Sequence, residues 1–348
     1  MDSKRFVKLT IAYSILLLVL VAATVIILDP FIRYHKPFFS LAAVETEERS
    51  SAIGIAKNMD YDTVLIGSSM SENFRRSWFE DGHFGTKCVK IPLQGGHYND
   101  YKLVIDEVLK KDTTKNVILC LDTYLFIDNA DSYPQTIEDY LVGTPSVSDV
   151  HYLFNKSVLF DYLPKYLVTN VFENYSDDNA YNWNDDYNYD KFSARLAYMN
   201  QRILRPQEEK SYDIFFENAD RFSDALIEQI KQREDVTFYL YAPPYSMLFW
   251  DDVCLKGNAT AVICTLDREY EKFLSLDNVR VFNFQDDTEI TTDLNNYRDF
   301  SHYSGAINYR MYEYMRYGKH ELTKETCYDN LLNMYYFIID YDYEQCFH

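Results

Sequence analysis

Five short apolar runs, separated by stretches of helical periodicity, constrain this chain more than any other feature. They span residues 63–66, 88–93, 117–121, 236–241 and 279–284 and are rich in Val, Ile, Leu, Phe and Tyr. Helical spacing follows at 71–80, 97–111, 224–232, 260–276 and 304–317. In the second of these, Tyr101, Val104, Ile105, Val108 and Leu109 share one face. Short β-branched strands alternating with amphipathic helices predict an α/β fold, a parallel sheet flanked by helices on both faces. Such sheets do their chemistry at the carboxyl ends of the strands. Four of the runs lead into Gly67-Ser68-Ser69, Gly95-Gly96, Asp122-Thr123 and Pro243-Pro244, so these groups are expected on one rim.

Ahead of the alternation, residues 9–28 carry no formal charge. As a helix, twenty residues span about 30 Å, the thickness of bilayer hydrocarbon. A cleaved signal would have a shorter apolar region and a small-x-small site; Asp29-Pro30-Phe31-Ile32-Arg33-Tyr34 follows instead, which favours an uncleaved transmembrane anchor. Lys4, Arg5 and Lys8 place residues 1–8 in the cytoplasm and 29–348 outside the cell by the positive-inside bias. The first eight residues carry +2, so the exterior part carries about −22 of the chain's total of −20. That charge argues against nucleic acid or an anionic membrane surface as a partner, because both would be repelled.

Between Phe126 and Val236 the alternation breaks, which reads as an insertion at about 127–222. A stretch within it, 174–190, is dense in Asn, Asp and Tyr and is expected as an exposed loop over the rim; Tyr faces beside Asn and Asp also suit sugar rings. Residues 43–59 and patches of 140–167 read as helical. Cys88 and Cys120 sit in apolar runs as buried thiols, while Cys254 with Cys264, or Cys327 with Cys346, can pair in an oxidising exterior. The histidines are scattered and no set has zinc-ligand spacing, so neither a metal nor any other cofactor is implied.

The chemistry lies in two distant segments. Ser69 ends the Gly67-Ser68-Ser69 turn after the first strand and is the candidate nucleophile, with a helix start expected beside it and its own N–H able to face an oxyanion. Ser68 is expected to bond locally. His302 is the candidate base, and Asp299, three residues earlier, the acid that orients its ring. His97 is the rival base. Gly95 and Gly96 can bring backbone N–H groups against a substrate without a Cβ in the way. Asp122 either caps a turn or enters the pocket.

Gly67-Ser68-Ser69, glycine after the second strand and Asp299-x-x-His302 before the last helix resemble the SGNH/GDSL hydrolase superfamily. Ile66-Gly67-Ser68-Ser69-Met70-Ser71-Glu72-Asn73-Phe74 and Leu121-Asp122-Thr123-Tyr124-Leu125-Phe126 are similar to its membrane-anchored Gram-positive branch, with the DltD-type D-alanyl transfer proteins of teichoic acid modification more distant. The resemblance covers roughly residues 60–126 and 236–318. It implies a three-layer, flavodoxin-like sheet, Ser69, His302 and Asp299 as a catalytic triad, and Gly95 as an oxyanion donor, with Gly96 the alternative. The family's third-block Gly-x-Asn-Asp is absent: Leu121-Asp122-Thr123 stands there, so one oxyanion donor is missing or replaced by Thr123. The expected activity is acyl transfer to, or ester hydrolysis on, cell-surface polysaccharide or a teichoic-acid-like polymer, beside a membrane-bound O-acyltransferase. A degenerate domain that binds polysaccharide or scaffolds an assembly is the alternative; a lipase or thioesterase lacks an apolar groove in the sequence.

Overall fold

The computed structural model describes residues 3–38, 47–127, 136–172 and 175–348. Within them the chain divides into two compact units. The first holds the described residues up to Met59 together with Thr136–Ala180; the second runs from Asp60 to Ile127 and from Tyr181 to His348. The expected insertion is therefore shared between the two. Residues 43–46, 128–135 and 173–174, read above as helix or insertion, lie outside the described residues.

The strands are β1 (Thr63–Gly67), β2 (Cys88–Pro92), β3 (Asn116–Cys120), β4 (Thr237–Ala242), β5 (Val279–Asn283) and β6 (Glu321–Leu322). The described helices of eight residues or more begin with α1 (Ser3–Leu28), α2 (Glu48–Asn58), α3 (Tyr98–Leu109), α4 (Leu163–Phe172) and α5 (Lys191–Met199). They continue with α6 (Phe216–Ile230), α7 (Met247–Leu255), α8 (Ala259–Leu274), α9 (Gly305–Tyr317) and α10 (Cys327–Asp340).

In the second unit the strands form one sheet in the order β2-β1-β3-β4-β5-β6. Neighbours run parallel except for the antiparallel edge pair of β5 and β6, where Arg280 and Glu321 are bridged at 2.5 Å. β1 and β2 are buried along their whole length, as a sheet covered by helices requires. The chain turns to one side of β1 to make β2 and to the other to make β3. Their carboxyl ends therefore flank the crevice where the strand order reverses. At that point Gly67 is needed: a Cβ there would lie 2.7 Å from the Cβ of Cys120 on β3.

Four expectations are corrected. Residues 71–80 are not an α-helix but two single 3₁₀ turns, Ser69–Ser71 and Arg76–Phe79. Lys90 of β2 is fully buried and its Nζ donates to the carbonyls of Glu72 (2.6 Å) and Phe74 (3.0 Å), removing acceptors that an α-helix would use. The helix expected at 224–232 starts eight residues earlier, because Ala219 and Phe222 extend its buried stripe. All six cysteines are free thiols; Cys254 meets the hydroxyl of Tyr343 rather than Cys264. The 174–190 stretch is not merely a solvated loop, since Ala180 and Trp183 are buried.

In the first unit, α1 is long and apolar enough to cross a membrane. Its last turn is tied down by Asp29, whose carboxylate accepts the N–H groups of Arg33, Tyr34 and His35 and the hydroxyl of Tyr152. Arg33 in turn donates to the carbonyls of Leu141 and Gly143 and pairs with Asp149. Val25, Phe31, Leu141, Tyr152, Val158 and Leu163 form the core of this unit.

Candidate active site

β1 delivers Ser69 into the one-turn 3₁₀ segment beyond its carboxyl end. The Ser68 side chain caps that turn by accepting the Met70 N–H, as expected of the serine that bonds locally. The base comes from a hairpin-like loop some 230 residues later. Tyr297 and Tyr303 bridge its base, and the Arg298 N–H donates to the carbonyl of His302. Between them, Asp299 accepts the backbone N–H of Ser301 (2.9 Å) and of His302 (2.8 Å), a closed Asx turn that aims the imidazole.

Two contacts lock the two segments together, and a third fixes the loop against the segment after β4. The hydroxyl of Tyr303 and the side-chain amide of Asn308 on α9 both donate to the carbonyl of Met70, each at 3.0 Å. The Ser246 hydroxyl, beyond β4, holds the Phe300 carbonyl at 2.6 Å.

The result is a linear relay. Ser69 Oγ lies 2.9 Å from His302 Nε2, and His302 Nδ1 lies 2.8 Å from Asp299 Oδ2. A carboxylate only accepts, so Nδ1 carries the ring proton, and the neutral Nε2 accepts from Ser69. Burial pushes the Asp299 carboxyl up. The ring hydrogen bond of His302 and the two backbone N–H groups outweigh it, and hold the group well below the usual carboxylate range. Arg298, 3.3 Å from Asp299 Oδ2, adds a positive charge.

A cavity of about 220 Å³ opens over Ser69, lined also by Gly95, Gly96, His97, Asp122, Tyr124 and His302. The two glycines differ. Gly95 sits at φ +58° with open space on its Cβ side, and its N–H, like that of Ser69, has no protein partner among the described residues. Gly96 spends its N–H on the Leu93 carbonyl at 2.6 Å, which removes it as an oxyanion donor. Thr123 is also corrected: it is fully buried, its hydroxyl accepts from the Gln285 amide at 3.1 Å, and it does not line the cavity. The helix expected beside Ser69 is the single 3₁₀ turn. His97 lines the cavity, but the ring that meets the Ser69 hydroxyl is that of His302. Among the described residues no three His, Cys, Asp or Glu side chains group to hold a metal.

Asp122 enters the pocket and is buried, with Oδ1 accepting the Tyr245 hydroxyl at 2.5 Å. Burial pushes its carboxyl up, against the hydroxyls of Ser68 and Tyr245 that pull it down. A carboxyl raised in the folded state contributes stability that is present below its unfolded pKa and lost as pH rises through the folded one. Asp122→Asn keeps an acceptor for Tyr245 and removes that loss. The melting temperature of the variant relative to the parent is expected to climb between pH 4 and 8, by about 2–4 °C for each kcal/mol relieved. A difference flat with pH would show that Asp122 titrates alike in both states.

Trp183 escaped the sequence reading. Its ring meets His302 edge-on at 5.7 Å, and its backbone N–H donates to Asn73 Oδ1. Arg298 stacks over Trp183 and Tyr187, at 4.2 and 3.9 Å from the ring centres. The one tryptophan in a run of Asn, Asp and Tyr was the available signal. No family model and no curated protein matches this chain.

Proposed function

We propose that this protein is a membrane-anchored serine acyltransferase or esterase of SGNH type that modifies cell-surface glycopolymers. One observation carries the reading: the hydroxyl of Ser69 within 2.9 Å of an imidazole whose other nitrogen is held by Asp299. The strand order supports a flavodoxin-like, three-layer arrangement of SGNH type with helices on both faces. α1 crosses the membrane with Lys4, Arg5 and Lys8 on the cytoplasmic side, and the sheet unit works outside.

In the first half-reaction Ser69 Oγ bonds to the acyl carbonyl carbon while its proton passes to His302 Nε2. The N–H groups of Ser69 and Gly95 face the developing oxyanion. The carbonyl then reforms, the C–O bond to the leaving alcohol breaks, and His302 returns its proton to that oxygen. In the second half, a polymer hydroxyl or water attacks the acyl-serine with His302 again taking the proton, and Ser69 is regenerated. No cofactor enters these steps. A cavity of about 220 Å³ suits a short acyl group better than a lipid chain. An anchored enzyme meets its acyl donor at the membrane, supplied by a membrane-bound O-acyltransferase, and its acceptor in polysaccharide or a teichoic-acid-like polymer.

A fluorophosphonate probe is expected to attach to the full-length protein at the peptide containing Ser69, located by mass spectrometry. Attachment elsewhere, or none, sinks the reading. One observation favours a second reading, a degenerate domain that binds polysaccharide or scaffolds an envelope assembly. Asp122, an acceptor, stands where an oxyanion donor would serve. Glycan binding that survives Ser69→Ala and His302→Ala, without ester turnover, selects it.

A further inference from the structure

The stretch 158–172 of the first unit is apolar on both sides. Leu163, Tyr166 and Thr169 of α4 are buried, whereas Leu167, Val168, Val171 and Phe172 are 42%, 47%, 64% and 80% exposed, and Phe160, just before α4, is 71% exposed. Pro164, Leu167, Val168 and Val171 fall on one stripe at helical spacing, opposite the buried one. A helix against water carries polar residues on its outer face; a contiguous apolar patch there marks a surface that something covers.

The same unit indicates what covers it. Val25, in the last turns of α1, shares a core cluster with Val158 and Leu163, so the outward stripe begins beside the end of the membrane-length run. Tyr34, Tyr140 and Tyr162 pack around that cluster, the ring type that gathers at the level of lipid headgroups. Charge agrees. From residue 156 to 172 the charged side chains are Lys156, Asp161 and Lys165, all exposed, a net +1 in a chain of −20. Lysines at the edge of an apolar face lay their stems along it and place the ammonium among phosphates.

We infer that the outer face of residues 160–172 lies in the headgroup–acyl boundary of the bilayer that α1 crosses, as a second, in-plane membrane contact. The spanning helix then enters the lipid end-on and α4 lies flat on it. Two non-collinear contacts fix the tilt of the first unit, which a single helix leaves free. The inference rests on α1 crossing a bilayer and not on chemistry at Ser69. Failure of probe labelling at Ser69 leaves it standing.

The test uses the full chain in vesicles of phosphatidylcholine and phosphatidylglycerol, with a benzophenone amino acid placed in turn at positions 160, 168 and 171. Each variant is required to keep the parent's melting curve before it is scored. Irradiation is expected to give phospholipid adducts by mass spectrometry at all three positions. Adducts between two copies of the chain, or no lipid adduct, would overturn it. In native membranes, capture of another protein in place of lipid at these positions would do the same.

Discussion

Ser69→Ala is expected to lower ester turnover about 10⁶-fold while leaving the fold intact, since serine triads that act as a unit lose on that order when the nucleophile goes. The Oγ removed is the atom 2.9 Å from His302, and alanine fits where a serine side chain already sits with only 9% exposure. The more telling comparison is the double variant Ser69→Ala/His302→Ala. Because a base without its nucleophile has nothing to deprotonate, the double loss should match the single one within about tenfold rather than multiply with it. Turnover of a small acetyl ester, followed under single-turnover conditions, measures both. Activity retained within tenfold in Ser69→Ala would remove this serine from the reaction.

The second large effect falls on a residue that never touches substrate. Asp299→Asn is expected to cut kcat by about 10⁴-fold, together with a fall in melting temperature from the stability the charged carboxylate contributes. The carboxylate accepts three N–H groups: the ring Nδ1–H and the backbone N–H of Ser301 and His302. The asparagine oxygen preserves the backbone pair, but its NH₂ then faces Nδ1 and favours the tautomer that carries the proton on Nε2. A protonated Nε2 cannot accept from Ser69. The parent carboxyl is held well below the ordinary range, so it stays ionised from neutral pH down past pH 5. Its contribution to stability is present above the unfolded pKa and lost only as pH falls through the much lower folded one. Activity that declines between pH 7 and 5 therefore reports another group. A loss under tenfold in Asp299→Asn, measured where the variant is still fully folded, would take the acid out of the relay.

The sheet was legible because every strand that positions the site is apolar, short and followed by a polar stop, and periodicity reads such segments well. The relay was legible for a related reason: Ser69 and His302 each follow a boundary where an apolar pattern ends. What escaped depends on contacts between segments distant in sequence. Residues 71–80 have helical composition, and only the burial of Lys90 against the carbonyls of Glu72 and Phe74 diverts them. Gly95 and Gly96 are indistinguishable as letters, yet one backbone bond to Leu93 separates their roles. Thr123 looked available beside Asp122 until Gln285, from beyond β5, was seen to occupy its hydroxyl. Trp183 reaches His302 from a stretch whose composition advertises solvent.

The clamp on the Met70 carbonyl by Tyr303 and Asn308 has a consequence for how the protein is made. The strand that presents Ser69 is translated early and its activating ring late. A nascent or clipped polypeptide ending short of residue 300 thus exposes an alcohol of ordinary reactivity. Under the proposed triad, competence arrives only when the last quarter of the chain closes over the first, so the serine stays unactivated during synthesis.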